Sequence, residues 1–146
     1  MLTKVHNRRG GFTLVEIMIV VAIIALLAAI AVPSALRARK RSQATSSLQT
    51  LRILDAACDQ WAIENGGSPN TVPTSAQLAA YVKTGTTLYN DLNASNGVAH
   101  DALNTAITMP KVDVPPQLSL STYNALSDVA PQTFWGAYYT AGGTSS

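Results

Sequence analysis

Cysteine is almost absent. Cys58 stands alone in 146 residues, so no intramolecular disulfide can tie the chain and no Cys/His cluster can hold a metal. Histidine is nearly as scarce, with only His6 and His100. Charge is thin as well: Asp, Glu, Lys and Arg make up 12% of the chain, which suits a surface that packs against copies of itself better than one that steers charged ligands. The basic charge lies to one side. Eight of the ten Lys/Arg fall at or before Arg52, and from Ile53 onward two bases, Lys83 and Lys111, stand against seven acids, a net of −5. No basic surface interleaved with aromatics follows, so nucleic acid is not an expected partner. A nucleophile motif and a glycine-rich phosphate loop are both missing. His100-Asp101 is a dyad on paper only, so neither catalysis nor a cofactor is expected.

What the chain does have is a long apolar run. From Phe12 to Leu36 there are 25 residues with one charge, Glu16, and Ile17 to Val32 are apolar without interruption. As a helix rising about 1.5 Å per residue, Phe12–Val32 spans roughly 30 Å, the thickness of a bilayer core. A charge at the centre of a lipid helix costs roughly 2.5–3.5 kcal/mol, so a segment that only had to anchor a protein would not keep Glu16. Three readings compete: a plain single-pass anchor, a secretory signal cut near Ala29-Ile30-Ala31, and a helix cut ahead of the run and then kept. The run is long for a signal peptide, whose apolar core is usually about 7–15 residues, and Pro33 follows the second candidate cut closely. Basic residues flank both ends, with Lys4, Arg8 and Arg9 before and Arg37, Arg39, Lys40 and Arg41 after. Charge counting therefore does not choose an orientation. The second cluster reads as a membrane-interface collar or a solvated face, or more sharply as a partner for acids of adjacent subunits.

The third reading has a family. The basic leader, the junction Gly11-Phe12, then Thr13-Leu14-Val15-Glu16, Ile17 to Ile24 and Pro33 resemble the amino-terminal segment of type IV pilins and type II secretion pseudopilins. The likeness covers about residues 4–41. It implies a prepilin peptidase that cuts between Gly11 and Phe12 on the cytoplasmic side and N-methylates Phe12. Glu16 is then the assembly residue, meeting the amino terminus of a neighbouring subunit, and Pro33 bends a helix that continues. Physics agrees with the pairing, because a buried carboxylate is tolerable with a partner and costly without one. Gly10-Gly11 alone reads as a hinge; ahead of Phe-Thr-Leu-Val-Glu it reads as a cleavage site, where a residue without a side chain lets an enzyme approach the backbone. Loss of the leader leaves seven bases and eight acids, a net of −1, so the high pI belongs mostly to the leader.

The expected fold is α+β. A helix from about residue 12 to 65, kinked near Pro33, carries a small head of short helices and a minor antiparallel sheet. The expected parts are a cleaved leader (1–11), a membrane or filament-core helix (12–36), the amphipathic half of that helix (37–66) and the head (67–146). From the residues alone, Leu48, Leu51, Leu54, Cys58 and Trp61 recur at helical steps and form a docking stripe, with Cys58 an inert core thiol on it. Asn65-Gly66-Gly67 with Pro69 stops the helix. Thr74 or Ser75 caps a short helix that Gly85 ends, with Leu78, Tyr81 and Val82 buried. Residues 84–100 read as loop, and a further helix runs from Ser121 or Thr122 to about Val129. Ala106–Met109, Lys111–Val114 and Phe134–Thr140 are the expected strands. Phe134, Trp135, Tyr138 and Tyr139 read as completing a core, with a binding patch as the other option. Asp91, Asp101, Asp113 and Asp128 are too scattered for a trusted metal site.

The resemblance implies a bacterial inner-membrane precursor, leader cytoplasmic and head periplasmic, that enters a periplasmic or cell-surface filament. Its expected partners are the prepilin peptidase, the inner membrane, and like or unlike pilin-like subunits. With no disulfide possible, a secretion pseudopilin is favoured over a type IV pilin for adhesion, motility or DNA uptake. A membrane-anchored binding domain that never polymerises is the other class.

Overall fold

The computed structural model describes residues 10–141. These fall into two compact units that meet between Leu36 and Arg37. Helix α1, Leu14–Asn65, is assigned continuously through Pro33 and belongs to both units. Four short helices follow: α2 (Ser75–Ala79), α3 (Thr87–Asn93), α4 (Leu120–Leu126) and α5 (Gln132–Trp135), the last running into a 3-10 turn, Gly136–Tyr138.

In the first unit every described residue is exposed. Leu, Ile, Val and Ala on all sides leave α1 with no polar face to turn toward water, and its length and composition suffice to cross a membrane.

The second unit is built on the other half of α1. Ala44, Ser47, Leu48, Leu51, Leu54, Ala57, Cys58 and Trp61 are buried at three- and four-residue steps. Each fully buried Leu contributes about 1.5–3 kcal/mol, enough to fix which face of the helix the head covers. Leu78, Val82, Leu88, Leu92, Ile107, Val112, Leu118, Leu126, Trp135 and Tyr139 complete this core. The helix ends in a Schellman motif: Gly66 takes φ 61° and the Gly67 amide donates to the Ala62 carbonyl at 2.9 Å. Gly67 itself leaves little room for a side chain, since a Cβ there would sit 3.1 Å from both Trp61 and Val112, which would have to give by a few tenths of an ångström.

Thr74 caps α2 through a reciprocal box with Gln77, and α4 begins close to its expected start, with Ser119 as its cap. Three expectations are corrected. Residues 84–100 are not all loop, because Thr86 caps α3 and buries Leu88 and Leu92 one turn apart. The minor antiparallel sheet is not formed either. Among the described residues there are only isolated bridges, His100–Ala106, Thr108–Gln117 and Lys111–Val114. Pro110, Pro115 and Pro116 interrupt this stretch, and a proline has no N–H to extend a ladder. Left-handed Asn104 (φ 60°) and Asp113 (φ 67°) turn the chain back too soon for strands to lengthen. The aromatic run expected as a strand is helical instead: Pro131 precedes α5, and Gly136 at φ 57° ends it.

The loop before Thr108 is fixed by one buried acid. Oδ1 of Asp101 accepts from the amides of Leu103 (2.8 Å) and Thr105 (2.9 Å), and Oδ2 from the Thr122 hydroxyl on α4. The Ala102 amide donates to Ser47 on α1 at 3.2 Å. Asp101→Ala strands two amides and a hydroxyl and is expected to cost about 2–3 kcal/mol of stability. Urea unfolding of the variant beside Asp101→Asn, which keeps an acceptor oxygen, measures this; equal midpoints for Asp101→Ala and the wild type would contradict it.

Candidate functional site

The start of α1 is the candidate site. Gly10, Gly11 and Phe12 are exposed, Phe12 at 85%, and nothing lies within 4 Å of a Cβ built on Gly10 or Gly11. Thr13 stands just before the first helical residue, Leu14, and Glu16 is the third residue of the helix. The pair forms a capping box. The Thr13 amide and hydroxyl both donate to Oε2 of Glu16 at 2.8 Å, and the Glu16 amide donates back to the Thr13 hydroxyl at 3.2 Å. One carboxylate oxygen is thus engaged locally, while Oε1 has no hydrogen bond among the described residues. The carboxylate side chain also suits the positive end of the helix dipole. The sequence reading had Thr13 in the motif but not as the cap that holds Glu16; the signal was there in the Thr-x-x-Glu spacing ahead of an apolar run.

The leader's Lys4, His6, Arg8 and Arg9 lie outside the described residues. Pro33 lies inside α1, where it withholds one helical hydrogen bond, and the helix continues to Asn65.

The head keeps its reactive groups occupied. Tyr139 and Trp135 are buried, Tyr123 stacks on Tyr139 at 4.0 Å, and Phe134 meets Trp135 edge-on at 5.1 Å. The Trp135 indole donates to the Ala130 carbonyl at 3.1 Å, so this aromatic group completes the core. Burial, with Asp59 and Asp55 nearby, pushes the Cys58 thiol up and suppresses its thiolate. Burial likewise raises the Asp55 carboxyl, although the Tyr138 hydroxyl donates to it at 3.1 Å.

His100 does not pair with Asp101. Its Nδ1 and its amide both lie 3.1 Å from Oδ2 of Asp91, which ties α3 to the following loop. Asp128 forms an ion pair with Lys40 at 3.0 Å. Asp91, Asp101 and Asp128 therefore have separate partners, and among the described residues no group of three or more His, Cys, Asp or Glu converges on a metal position.

Comparison with a family model points to the same end of the chain. The family described as the prokaryotic N-terminal methylation motif matches residues 6–32. The type II secretion system core protein G of Pseudomonas aeruginosa is 34% identical over 66 residues, 45% of this chain and 46% of that protein. Its counterpart in Escherichia coli (strain K12) is 32% identical over 86 residues, 53% of this chain and 59% of that protein. The type IV major pilin protein PilA of Myxococcus xanthus is 43% identical over 56 residues, 38% of this chain and 26% of that protein. In each case the chain spans less than two thirds of the relative's length, and no solved structure matches. Residues 6–32 thus carry the prokaryotic N-terminal methylation motif, and the chain is similar over about half its length to type II secretion system core proteins G and over a shorter stretch to a type IV pilin.

Proposed function

We propose that the chain is a structural, non-catalytic subunit of a pilus-like filament, a pseudopilin of a type II secretion system. It is inserted in the inner membrane with the leader cytoplasmic and the head periplasmic, cut after Gly11, N-methylated on Phe12 and assembled by packing of α1. The observation that carries this reading is the first unit itself: an apolar stretch of helix whose described residues are all exposed, with a single acid at its start. Lipid covers such a helix before assembly and other copies of it afterwards. Cleavage exposes the Phe12 amine, and this cation is the partner for Glu16 on a neighbouring subunit. Pro33 supplies a bend within the helix, because it withholds one hydrogen bond and crowds the preceding turn.

Several relatives named type II secretion system core protein G support the pseudopilin. The pilin of Myxococcus xanthus keeps a type IV pilus as the second reading. Intact mass spectrometry of protein from membranes of cells with a prepilin peptidase tests the processing. The expected species lacks residues 1–11 and carries one added methyl group on Phe12. A mature terminus at Met1 or Val32 would overturn it.

A further inference from the structure

The chain has two Asn-Gly dipeptides, Asn65-Gly66 and Asn96-Gly97. Asparagine is chemically labile, most of all ahead of glycine. With no Cβ in the way, the glycine nitrogen can reach the asparagine side-chain carbonyl and close a succinimide ring. By sequence the two sites are equivalent. Both asparagines are also exposed, and both glycines are left-handed, at φ 61° and 56°. What separates them is how firmly each is held.

Asn65 is the last residue of α1. Its Nδ2 donates to the Trp61 carbonyl at 2.9 Å and to the Tyr81 hydroxyl at 3.4 Å. Ring closure needs Asn65 to leave helical ψ, about −42°, and to open the Schellman bond from Gly67 to Ala62. Asn96 is held by less. It follows α3 in a turn outside any helix, and its side chain makes no hydrogen bond among the described residues. One bond stands in the way, from the Gly97 amide to the Ala94 carbonyl at 2.9 Å.

The surroundings of Asn96 give ring closure a consequence. A Cβ on Gly97 would collide with the Ser75 Oγ and stand 2.9 Å from the Ser75 Cβ, so the main chain lies directly against the start of α2. Leu92 and Ala99 are buried on either side. The Ile107 amide donates to the Ala99 carbonyl at 2.9 Å. The amide and Nδ1 of His100 both lie 3.1 Å from Oδ2 of Asp91. A longer main chain at residue 96 has no slack to enter without opening one of these contacts.

We propose that Asn96 is a site of spontaneous deamidation, with water as the co-reactant, and that isoaspartate formed there unlatches the loop between α3 and His100. The Gly97 nitrogen loses its proton to solvent and bonds to the Asn96 Cγ. The Cγ–Nδ2 bond breaks, and ammonia leaves with a proton taken from solvent. Water then opens the succinimide. Attack at Cγ gives aspartate; attack at the main-chain carbonyl gives isoaspartate, which routes the backbone through Cβ and lengthens it by a methylene. Nothing is oxidised or reduced. Either product adds one negative charge, taking the net from Ile53 onward from −5 to −6. Older copies are thus marked by charge, and those with isoaspartate by a looser α3. The site does not depend on the filament reading.

The test ages the full-length chain in detergent, in warm, mildly alkaline buffer, and follows both sites by peptide mass spectrometry. Electron-transfer fragmentation tells isoaspartate from aspartate. Asn96 is expected to convert at least about tenfold faster than Asn65, the effect of one or two more hydrogen bonds that must open first. In urea the two are expected to convert within about twofold of each other, since only the fold distinguishes them. Hydrogen exchange at the His100 amide and along α3 is expected to rise about fivefold or more in the aged chain. Asn96→Gln, which closes a ring far less readily, is expected to keep slow exchange through the same ageing. Freshly made Asn96→Asp, with the charge but not the extra methylene, is expected to keep it too. Asn65 converting as fast as Asn96 in the folded chain, or a rate ratio that persists in urea, would overturn the site. Unchanged exchange in chains that carry isoaspartate at residue 96, or exchange in fresh Asn96→Asp as fast as in the aged wild type, would overturn the unlatching.

Discussion

Glu16→Ala is expected to be cut and methylated like the wild type and then to stay in the membrane, with filament incorporation down by at least about tenfold. Removing a charge from an apolar helix favours its insertion, by roughly 2.5–3.5 kcal/mol at the bilayer centre, so the precursor reaches the peptidase. Some local order at the helix start is lost with the capping box, about 1 kcal/mol. The larger loss comes in the filament, where the Phe12 amine would be buried without its anion. Breaking a buried pair by removing one partner costs about 3–5 kcal/mol, a factor of roughly a hundred or more in an assembly equilibrium. Glu16→Gln separates the two roles. Its amide oxygen still accepts from the Thr13 amide, at the position where Glu16 Oε2 accepts at 2.8 Å, but it has no charge for the Phe12 amine. The Gln variant is expected to fail as the Ala variant does. Filament yield at the wild-type level from Glu16→Gln would show that capping, and not charge pairing, is what the acid provides.

The contrast between Glu16 and the head explains what could be read from the chain alone. Near Glu16 the signal is chemical and local: one acid in an apolar run, a Gly-Phe junction, and a Thr three residues ahead of the acid. Each has a physical meaning that does not depend on distant contacts. The docking stripe from Leu48 to Trp61 was legible for a related reason, since helical spacing over four turns admits one buried face. Beyond Gly67 the elements are four to seven residues long, too short for periodicity to separate helix from strand. Helix α3 was hidden in Thr, Asn and Asp, and only the Leu88–Leu92 spacing and the Thr86 cap mark it. The residues from Ala106 to Val114 alternate as strands do, yet Pro110 and the left-handed Asp113 confine them to single bridges. Phe134 to Tyr139 has the composition of a strand, but Pro131 ahead of it and Gly136 within it set the backbone. Asp101 was read only as one of four acids too scattered for a metal site. Its burial, and the Thr122 hydroxyl that reaches it from α4, depend on chain segments 21 residues apart.

The same aromatic run sets the largest stability effect expected in the head. Trp135 is 1% exposed and is the largest fully buried side chain. It sits at the end of α5, where the Ala130 carbonyl accepts its indole N–H and Phe134 meets it edge-on. Truncation to Ala leaves a cavity and an orphaned carbonyl together, and such changes cost about 3–5 kcal/mol. In a head of this size that is most of the available stability, and it corresponds to a melting temperature lower by at least about 12 °C. Phe134→Ala is the control. At 37% exposure it gives up little burial and one edge contact, about 0.5–1.5 kcal/mol beyond area. Circular dichroism melts of the processed, detergent-solubilised chain measure both, and Trp61 remains as a fluorescent reporter of the core beside α1 in the Trp135 variant. If the aromatic group were a docking patch resting on an independent core, Trp135→Ala would melt with the wild type. A shift confined to Trp135, with Phe134→Ala close to wild type, is the expected result, and it places the indole among the groups that hold the head to its helix.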